Sequence, residues 1–291
     1  MALKIGWFSS GRDPAARNLL ETVCDYITAE KPPVEISWIF CPRETGDAPF
    51  NEEYKQREMF FDLAAGLDIP VATLSYVKFL PELRKKGITE SATAEMASPS
   101  LQEWRDLFGR EVVRVIDMLP SVDLVVMAGY MLIIGRPELE AFDMVNIHPA
   151  LPWGPKGTWQ EVIHTLIADD ALEQGIMVHL VTGELDRGPV ISYTRFPIKG
   201  ESWNELWNQW RNEISPKSDL NTREAHPLFK EIRRQGEMRE LPLLNIAIGE
   251  LASGQLLVRD RKIFSKGLFQ ESGVDLTDII EDFITRNRSD T

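Results

Sequence analysis

The chain has 291 residues, 43% of them hydrophobic, and a formal net charge of −13 at pH 7. This length suffices for a core without disulfide or metal staples, and its only cysteines, Cys24 and Cys41, suit a reducing compartment. The acidic balance argues against nucleic acid as a partner, no apolar run is long enough to span a bilayer, and the four histidines lack the spacing of a metal site, so we expect a soluble cytoplasmic protein without metal.

Strand-like and helix-like segments alternate over the first 150 residues. Apolar runs predict strands at residues 3–8, 34–41, 70–74, 123–131 and 142–148. Apolar residues at helical spacing predict helices between them, at residues 15–27, 51–66 and 101–119. This alternation predicts an α/β, doubly wound and mostly parallel sheet with helices on both faces.

Residues 75–100 interrupt the alternation. They contain Pro81, Gly87 and the small-residue stretch "TESATAEMASPS". We interpret this segment as an insertion, which is either a lid over a ligand or a passive surface loop.

The second half begins with a predicted helix at 158–170, followed by two strands over 174–198 that are joined by a polar turn at 182–189. After residue 200 the composition shifts to helix formers and charge, with helical patterns at 201–210 and 222–254. We therefore divide the chain into a main domain, 1–200, and a helical extension, 201–291, packed on the same domain.

The tail at 274–287 has apolar residues at i, i+3, i+4 and i+7, which are Leu276, Ile279, Ile280 and Phe283. This spacing predicts an amphipathic helix whose apolar face is covered. The cover is either the same chain or a second copy, so a homodimer stays open.

Polar residues follow three of the predicted strands, at Ser9-Ser10-Gly11, Ala128-Gly129-Tyr130 and Asn146-Ile147-His148. In open α/β sheets, ligands bind beyond the carboxyl ends of the strands. Asn146 and His148 stand at i and i+2 and so point to one side of their strand. An amide donor and an imidazole can hold an oxyanion and move a proton, as acyl transfer requires; the alternative for His148 is a structural histidine.

Asp186 lies in the turn "GELDRGPV" between the two later strands. A carboxylate near His148 would favour the imidazolium and orient the ring. The alternative is a turn aspartate that makes only local hydrogen bonds.

Three motifs occur in order: "VVMAGYM", "VNIHPALPWGPKG" and "GIMVHLVTGELDRGPVI". With them the chain resembles the folate-dependent formyltransferases, and among these the phosphoribosylglycinamide formyltransferases, which carry N-I-H-P after a strand and then H-x-V-T-x-E-L-D-x-G-P-V-I. The resemblance covers residues 3–200 and, more weakly, 234–258. It implies a Rossmann-like formyltransferase fold, with 1–200 as the catalytic domain and 10-formyltetrahydrofolate as co-substrate. The implied acceptor is a small-molecule amine, and the leading candidate is glycinamide ribonucleotide, an intermediate of purine biosynthesis.

The resemblance also implies roles for individual residues. Asn146 and His148 would bind and protonate the oxyanion, and Asp186 would set the state of His148 and relay the proton of the amine. Arg105 matches a family arginine that meets the carboxylate tail of folate, although a solvated helix arginine is the alternative. The pterin would lie in an apolar slot formed by Met131, Ile133, Ile134, Leu180, Val181, Thr182 and Glu184.

On the acceptor side the chain departs from the family pattern. The family holds the substrate phosphate on a short G-x-G-S-N loop, whereas here Gly11 and Asn18 flank extra residues that include Arg12, a side chain able to pair with a phosphate. Leu132 replaces an arginine of close relatives, and the Trp153-Gly154-Pro155-Lys156 loop also differs.

Two further departures are extra segments, at 75–100 and at 208–233. The latter precedes Glu237, which matches a family glutamate near the acceptor.

These departures leave alternatives for the function. In the first alternative, the chain transfers the formyl group to another amine, such as an amino sugar or hydroxylamine. In the second, it hydrolyses formyltetrahydrofolate and releases formate. Formyl transfer to a tRNA is opposed by the acidic charge. A nucleotide-binding module without catalysis is compatible with the fold alone, and the set of Asn146, His148 and Asp186 argues against it.

Overall fold

The computed structural model describes residues 2–92 and 98–289. The chain divides into two compact units, Met1–Asn146 with Val181–Glu184, and Ile147–Leu180 with Leu185–Thr291. The expected α/β class is confirmed, since a mostly parallel, mixed sheet combines with helices.

The first unit contains a parallel sheet with strand order β5-β4-β1-β2-β3. The strands are β1 Leu3–Phe8, β2 Val34–Cys41, β3 Val71–Thr73, β4 Leu124–Met127 and β5 Met144–His148, whose last two residues already belong to the second unit. Every pairing within this order is parallel. The strands read as continuous apolar runs, as expected for a parallel sheet that is buried on both faces.

Among the described residues, the helices of this unit are α1 Pro14–Glu30, α2 Glu52–Gly66, α3 Pro81–Ser91, α4 Pro99–Ile116 and α5 Arg136–Ala141. Polar caps start several of them, because a side-chain oxygen satisfies an otherwise unpaired amide of the first turn. Asp13 accepts the N–H of Ala16 in α1, and Ser98 accepts the N–H of Leu101 in α4.

An aromatic cluster forms the core of the first unit. Phe8, Trp38, Phe40, Trp104 and Phe108 are all buried in it. The Trp104 and Phe108 rings stack at 5.2 Å between centroids, and the Phe8 and Phe40 rings lie 4.9 Å apart. This packing anchors α4 on the central strands and so supports the loops at their carboxyl ends.

The segment at 75–100 contains α3, which packs on α4. The indole N–H of Trp104 donates to the carbonyl of Phe79 at 2.9 Å, and the hydroxyl of Ser98 donates to the carbonyl of Gly87 at 3.0 Å. Residues 93–97 of "TESATAEMASPS" lie outside the described residues. Both interpretations of this segment, lid and surface loop, remain predictions.

The second unit contains the antiparallel strands β6 Glu173–Leu180 and β7 Val190–Pro197. The short strand β11 Val274–Asp275 pairs with β7 in parallel. The helices are α6 Trp159–Ala168, α7 Asn204–Glu213, α8 Leu220–Ala225, α9 Pro227–Ser253 and α10 Thr277–Ser289. The long helix α9 packs on β6 and β7, and the helical character expected of the C-terminal region is confirmed.

The C-terminal region also contains a small sheet that the sequence reading missed. Strands β8 Leu256–Arg259, β9 Lys262–Ser265 and β10 Leu268–Gln270 form an antiparallel meander. Asp260 and Arg261 connect the first two strands with positive φ at both residues, as a two-residue hairpin turn requires. The strands are only three or four residues long, too short for a clear alternating pattern.

The tail helix α10 buries a different face from the one expected. Leu276, Ile280 and Ile284 are buried, whereas Ile279 and Phe283 are about half exposed. The helix packs on α9 and β7 of the same chain, and Arg239 of α9 donates to the Glu281 carboxylate from Nε and Nη2. The prediction that the i, i+3, i+4, i+7 face is buried was therefore wrong, because the buried face is rotated by about one residue around the helix.

Within the described residues, no helix combines the length and the apolarity that crossing a membrane requires.

Candidate active site

His148 and Asp186 lie together in the second unit. His148 is the last residue of β5, and Asp186 follows β6 in a turn where its φ is +50°. His148 is 3% exposed and Asp186 is 9% exposed, and Nδ1 of His148 lies 3.6 Å from Oδ2 of Asp186. The structure therefore brings together two of the three residues expected to be catalytic.

The hydrogen-bond partner of the other ring nitrogen, Nε2, shows which nitrogen of His148 carries a hydrogen. Nε2 lies 3.1 Å from the carbonyl oxygen of Pro155. A carbonyl only accepts, so Nε2 carries the hydrogen and donates it. In this tautomer the lone pair of Nδ1 faces the Asp186 carboxyl group.

A second histidine, His179, faces the same carboxyl group. Its Nε2 lies 3.8 Å from Oδ1 of Asp186, and its Nδ1 donates to the carbonyl of Leu180 at 2.9 Å. Burial lowers the pKa of His179 below its ordinary value of 6.5, which favours the neutral ring. The His148 and His179 rings are nearly perpendicular, with centroids 6.4 Å apart.

The loop after β5 also holds this cluster. The N–H of Gly157 donates to Oδ2 of Asp186 at 3.3 Å. Directly after it, Thr158 and Glu161 cap helix α6 reciprocally: the Glu161 carboxylate accepts the N–H of Thr158 at 2.7 Å, and the Thr158 hydroxyl accepts the N–H of Glu161 at 3.3 Å. This box fixes the end of the loop next to Gly157.

Asn146 ends the first unit, two residues before His148 on β5. It pairs in register with Met127 of β4 and is partly buried. The strand period puts its side chain on the same side of β5 as that of His148. Its joint action with His148 stays a prediction.

Several residues expected to hold the co-substrate lie in the first unit. Arg105 on α4 is partly buried, and within residues 2–92 and 98–289 its guanidinium has no ion-pair partner. Burial lowers its pKa. A half-buried unpaired cation is suited to a carboxylate ligand.

The apolar residues after β4 divide by exposure. Met131 and Ile133 are 45% and 47% exposed, which leaves them free to contact a ring. Ile134 and Val181 pack against the aromatic core. Thr182 and Glu184 form a local turn, in which the Thr182 hydroxyl contacts the backbone of Glu184.

Leu180 is the exception among these residues. It belongs to the second unit and is 4% exposed. Its carbonyl accepts from His179, and its role in holding the co-substrate stays a prediction.

The expected acceptor residues of the first loop are separate from one another. Gly11 has φ +57° and donates its N–H to the Ser9 hydroxyl at 3.3 Å. Arg12 lies 3.7 Å from Glu53. Asn18 is exposed and lies beyond the first turn of α1. Within the described part of the chain no hydrogen bond or ion pair joins these three residues, and their substrate role stays a prediction.

Glu237 lies on α9 in the second unit. Its carboxylate accepts from Nε of Arg233 at 2.9 Å. The sequence analysis did not select Arg233, whose position seven residues beyond His226 carries no motif.

Residues 75–213 match the family model described as formyl transferase. This stretch of the chain is similar to formyl transferases. The resemblance read from the sequence motifs is thereby confirmed. A phosphoribosylglycinamide formyltransferase of Dictyostelium discoideum is 33% identical over 103 residues, which are 32% of this chain and 50% of the relative. The chain spans about half the length of the curated relatives that it matches, from 50% to 58%.

Solved structures share the fold over more of the chain. A phosphoribosylglycinamide formyltransferase from Coxiella burnetii has a TM-score of 0.58 and 20% identity, covering 94% of this chain and 99% of that one. A formyltetrahydrofolate deformylase from Pseudomonas syringae pv. tomato also has a TM-score of 0.58, with 16% identity, covering 91% and 66%. At these identities the likeness establishes the fold alone, which is the Rossmann-like fold expected from the sequence.

The site contains groups that the sequence reading missed. His179 stands inside the quoted motif "HLVTGELD", seven residues before Asp186, and its presence there was the available signal. The Pro155 carbonyl and the Gly157 amide carried no signal, because backbone groups take their position from the loop and not from a side-chain type.

Proposed function

We propose that this chain transfers a formyl group from 10-formyltetrahydrofolate to a small-molecule amine in the cytoplasm. The observation that carries the proposal is the buried pair of His148 and Asp186 inside the stretch that matches the formyl transferase model. Glycinamide ribonucleotide, an intermediate of purine biosynthesis, is the leading acceptor, because the relatives carry that activity in their names.

The residues fit the co-substrate. Arg105 has the free charge for a glutamate tail, and Met131 and Ile133 offer exposed apolar surface near the end of β4. When bound, the co-substrate supplies a formyl carbon and a tetrahydrofolate leaving group. No metal is needed, since the chemistry requires only an oxyanion donor and a proton relay.

The chain's own groups then hold one negative charge and move one proton. The amine nitrogen bonds to the formyl carbon as the free base, and Asn146 donates its amide hydrogen to the developing oxyanion. When the carbonyl re-forms, the bond between the formyl carbon and the folate nitrogen breaks. His148 and Asp186 hold the proton that moves between the two nitrogens. The amine loses one proton and the folate nitrogen gains one. Asp186 and His148 together relay this proton, so the proton count balances.

The decisive experiment supplies 10-formyltetrahydrofolate with each of three amines: glycinamide ribonucleotide, hydroxylamine and an amino sugar. Tetrahydrofolate release is followed by absorbance, and formate is assayed separately. We expect turnover that depends on the amine. Formate release without any amine would assign the chain to hydrolysis instead.

Two substitutions test the assigned roles. Asn146→Ala should raise the barrier by roughly 2.7–4 kcal/mol, the cost of one oxyanion donor. His148→Ala should abolish most of the turnover, and Asp186→Asn should lower kcat strongly with little change in folate affinity. Near-normal turnover by His148→Ala, or equal losses of kcat and folate affinity in Asp186→Asn, would contradict these roles.

A further inference from the structure

Arg233 on helix α9 makes three contacts with one guanidinium group. Its Nε lies 2.9 Å from Oε1 of Glu237, and its Nη1 lies 2.7 Å from Oε1 of Glu240. Its Cζ stands 4.7 Å from the ring centroid of Trp159. The Arg233 side chain is 16% exposed and that of Glu240 is 11% exposed, so this ion pair is shielded from solvent, whereas the Glu237 side chain is 49% exposed.

Trp159 is the first residue of α6. Its ring contacts Arg233 and also the ring of Phe229, whose centroid is 5.9 Å away. Two residues of α9 therefore hold the residue that immediately follows the loop Pro155–Thr158. Thr158, which lies between Gly157 and Trp159 in the chain, is fixed to the first turn of α6 by its reciprocal hydrogen bonds with Glu161.

That loop supplies both backbone contacts of the catalytic pair. The Pro155 carbonyl accepts from His148, and the Gly157 N–H donates to Asp186. A continuous set of contacts therefore runs from Arg233 through Trp159 to the loop and the pair. All of these residues lie in the second unit.

We propose that Arg233 is a positioning residue, which holds the loop Pro155–Thr158 against His148 and Asp186 and orients the Glu237 carboxylate. The planar guanidinium can bond to two carboxylates and cover an aromatic ring at the same time, which a lysine ammonium cannot do. The part concerning Glu237 and the acceptor rests on the proposed formyl transfer. The part concerning the loop does not.

The kinetic test compares Arg233→Met and Arg233→Lys with Arg114→Met. Arg114 forms an exposed bidentate pair with Glu111 on α4, in the other unit, and serves as the matched control. For Arg233→Met we expect acceptor KM to rise about tenfold and kcat to fall about tenfold, with folate KM unchanged, since small misplacements of reacting groups are costly. Arg233→Lys should restore less than half of the loss, and Arg114→Met should behave as wild type.

A double variant separates positioning from a general loss of structure. If Arg233 acts on the acceptor through Glu237, then Arg233→Met in a Glu237→Gln background should change acceptor KM less than about twofold. Multiplying effects of the two substitutions would overturn this part of the proposal, as would a loss of kcat with no change in any KM.

The loop is tested without substrate, so that failure of the proposed function can be told apart. The chain has only four histidines, and their ring nitrogens can be resolved by 15N NMR. In Arg233→Met, or in Arg233→Lys if the former does not fold, solvent exchange of the His148 Nε2 hydrogen should accelerate about tenfold, because its Pro155 acceptor is released. Exchange equal to that of Arg114→Met would overturn the proposal.

Discussion

At the scale of single residues, the site is a carboxyl group between two imidazoles. Asp186 faces Nδ1 of His148 at 3.6 Å and Nε2 of His179 at 3.8 Å. Each imidazole uses its other nitrogen to donate to a backbone carbonyl. The two facing ring nitrogens therefore both present lone pairs to the carboxyl group, and one proton placed between them can serve one of these contacts at a time. A cluster that carries one movable proton is what a relay requires.

Replacing His179 tests this arrangement. When Asp186 carries the proton, neutral His179 can accept it in a hydrogen bond, and His179→Phe removes that acceptor while keeping a ring. We expect kcat to fall about tenfold, the equivalent of one hydrogen bond of about 1.4 kcal/mol. Steady-state kinetics between pH 6 and 9 measure the change.

His179→Gln provides the control, because its amide oxygen can still accept. Gln should recover part of the rate that Phe loses. Turnover by His179→Phe at the wild-type rate would remove His179 from the relay.

At the scale of secondary-structure elements, the contact between α4 and α5 depends on one glycine. The Glu138 carboxyl of α5 accepts the N–H of Gly135 at 2.9 Å and is 2% exposed. Burial raises its pKa to about 8. A Cβ at Gly109 of α4 would stand 2.2 Å from Oε2 of Glu138, closer than real atoms approach. The close packing of the two helices therefore requires glycine at 109.

Gly109→Ala should consequently destabilise the protein. Helix propensity alone favours alanine by about 1 kcal/mol, but displacing a buried carboxyl group costs about 1–3 kcal/mol as overpacking and disturbs its hydrogen bond. Urea denaturation at pH 7 measures the difference in unfolding free energy.

Gly66 of α2 offers a matched control, because a Cβ there meets no atom within 4 Å. Gly66→Ala should be neutral or slightly stabilising. A Gly109→Ala variant as stable as Gly66→Ala would show that α4 and α5 separate at little cost.

At the scale of the whole molecule, two buried histidines link stability to pH. Burial lowers the pKa values of His179 and His226 below 6.5 in the folded protein. The unfolded chain therefore binds protons first as the pH falls through 6.5, and the folded state loses stability there. Above pH 6.5 these histidines are neutral in both the folded and the unfolded state, and this contribution to stability is fully present.

His226 allows the effect to be isolated. It caps α9 by accepting the N–H of Leu228 at Nδ1, at 3.0 Å. His226→Asn keeps an acceptor at this N-cap but does not titrate, so its unfolding free energy should decrease less between pH 7.5 and 5.5 than that of the wild type. Denaturation at the two pH values measures this.

His226→Ala serves as the comparison, since it loses the cap at both pH values at a cost of about 1 kcal/mol. Equal pH dependence of the wild type and His226→Asn would exclude His226 as a source of acid sensitivity.

The sequence by itself determined the α/β class, the strands that carry the site and the identities of His148 and Asp186. Continuous apolar runs mark buried parallel strands regardless of what packs on them, and motif spacing reports residue types. The sequence did not predict the short strands β8 to β10, because strands of three or four residues are too short to show an alternating pattern. It also misplaced the buried face of α10, because apolar spacing along a helix defines the centre of the buried face only to within about one residue.

Only the tertiary structure decided which groups meet. The 3.6 Å approach of Asp186 to His148 joins residues 38 positions apart in the chain, and the sequence left a turn aspartate with only local hydrogen bonds as the alternative. His179, the Pro155 carbonyl, the Gly157 amide and Arg233 joined the site in the same way. Their roles arise from distances across the fold, where side chains are placed by the packing of whole elements, and no local pattern of residue types encodes such distances.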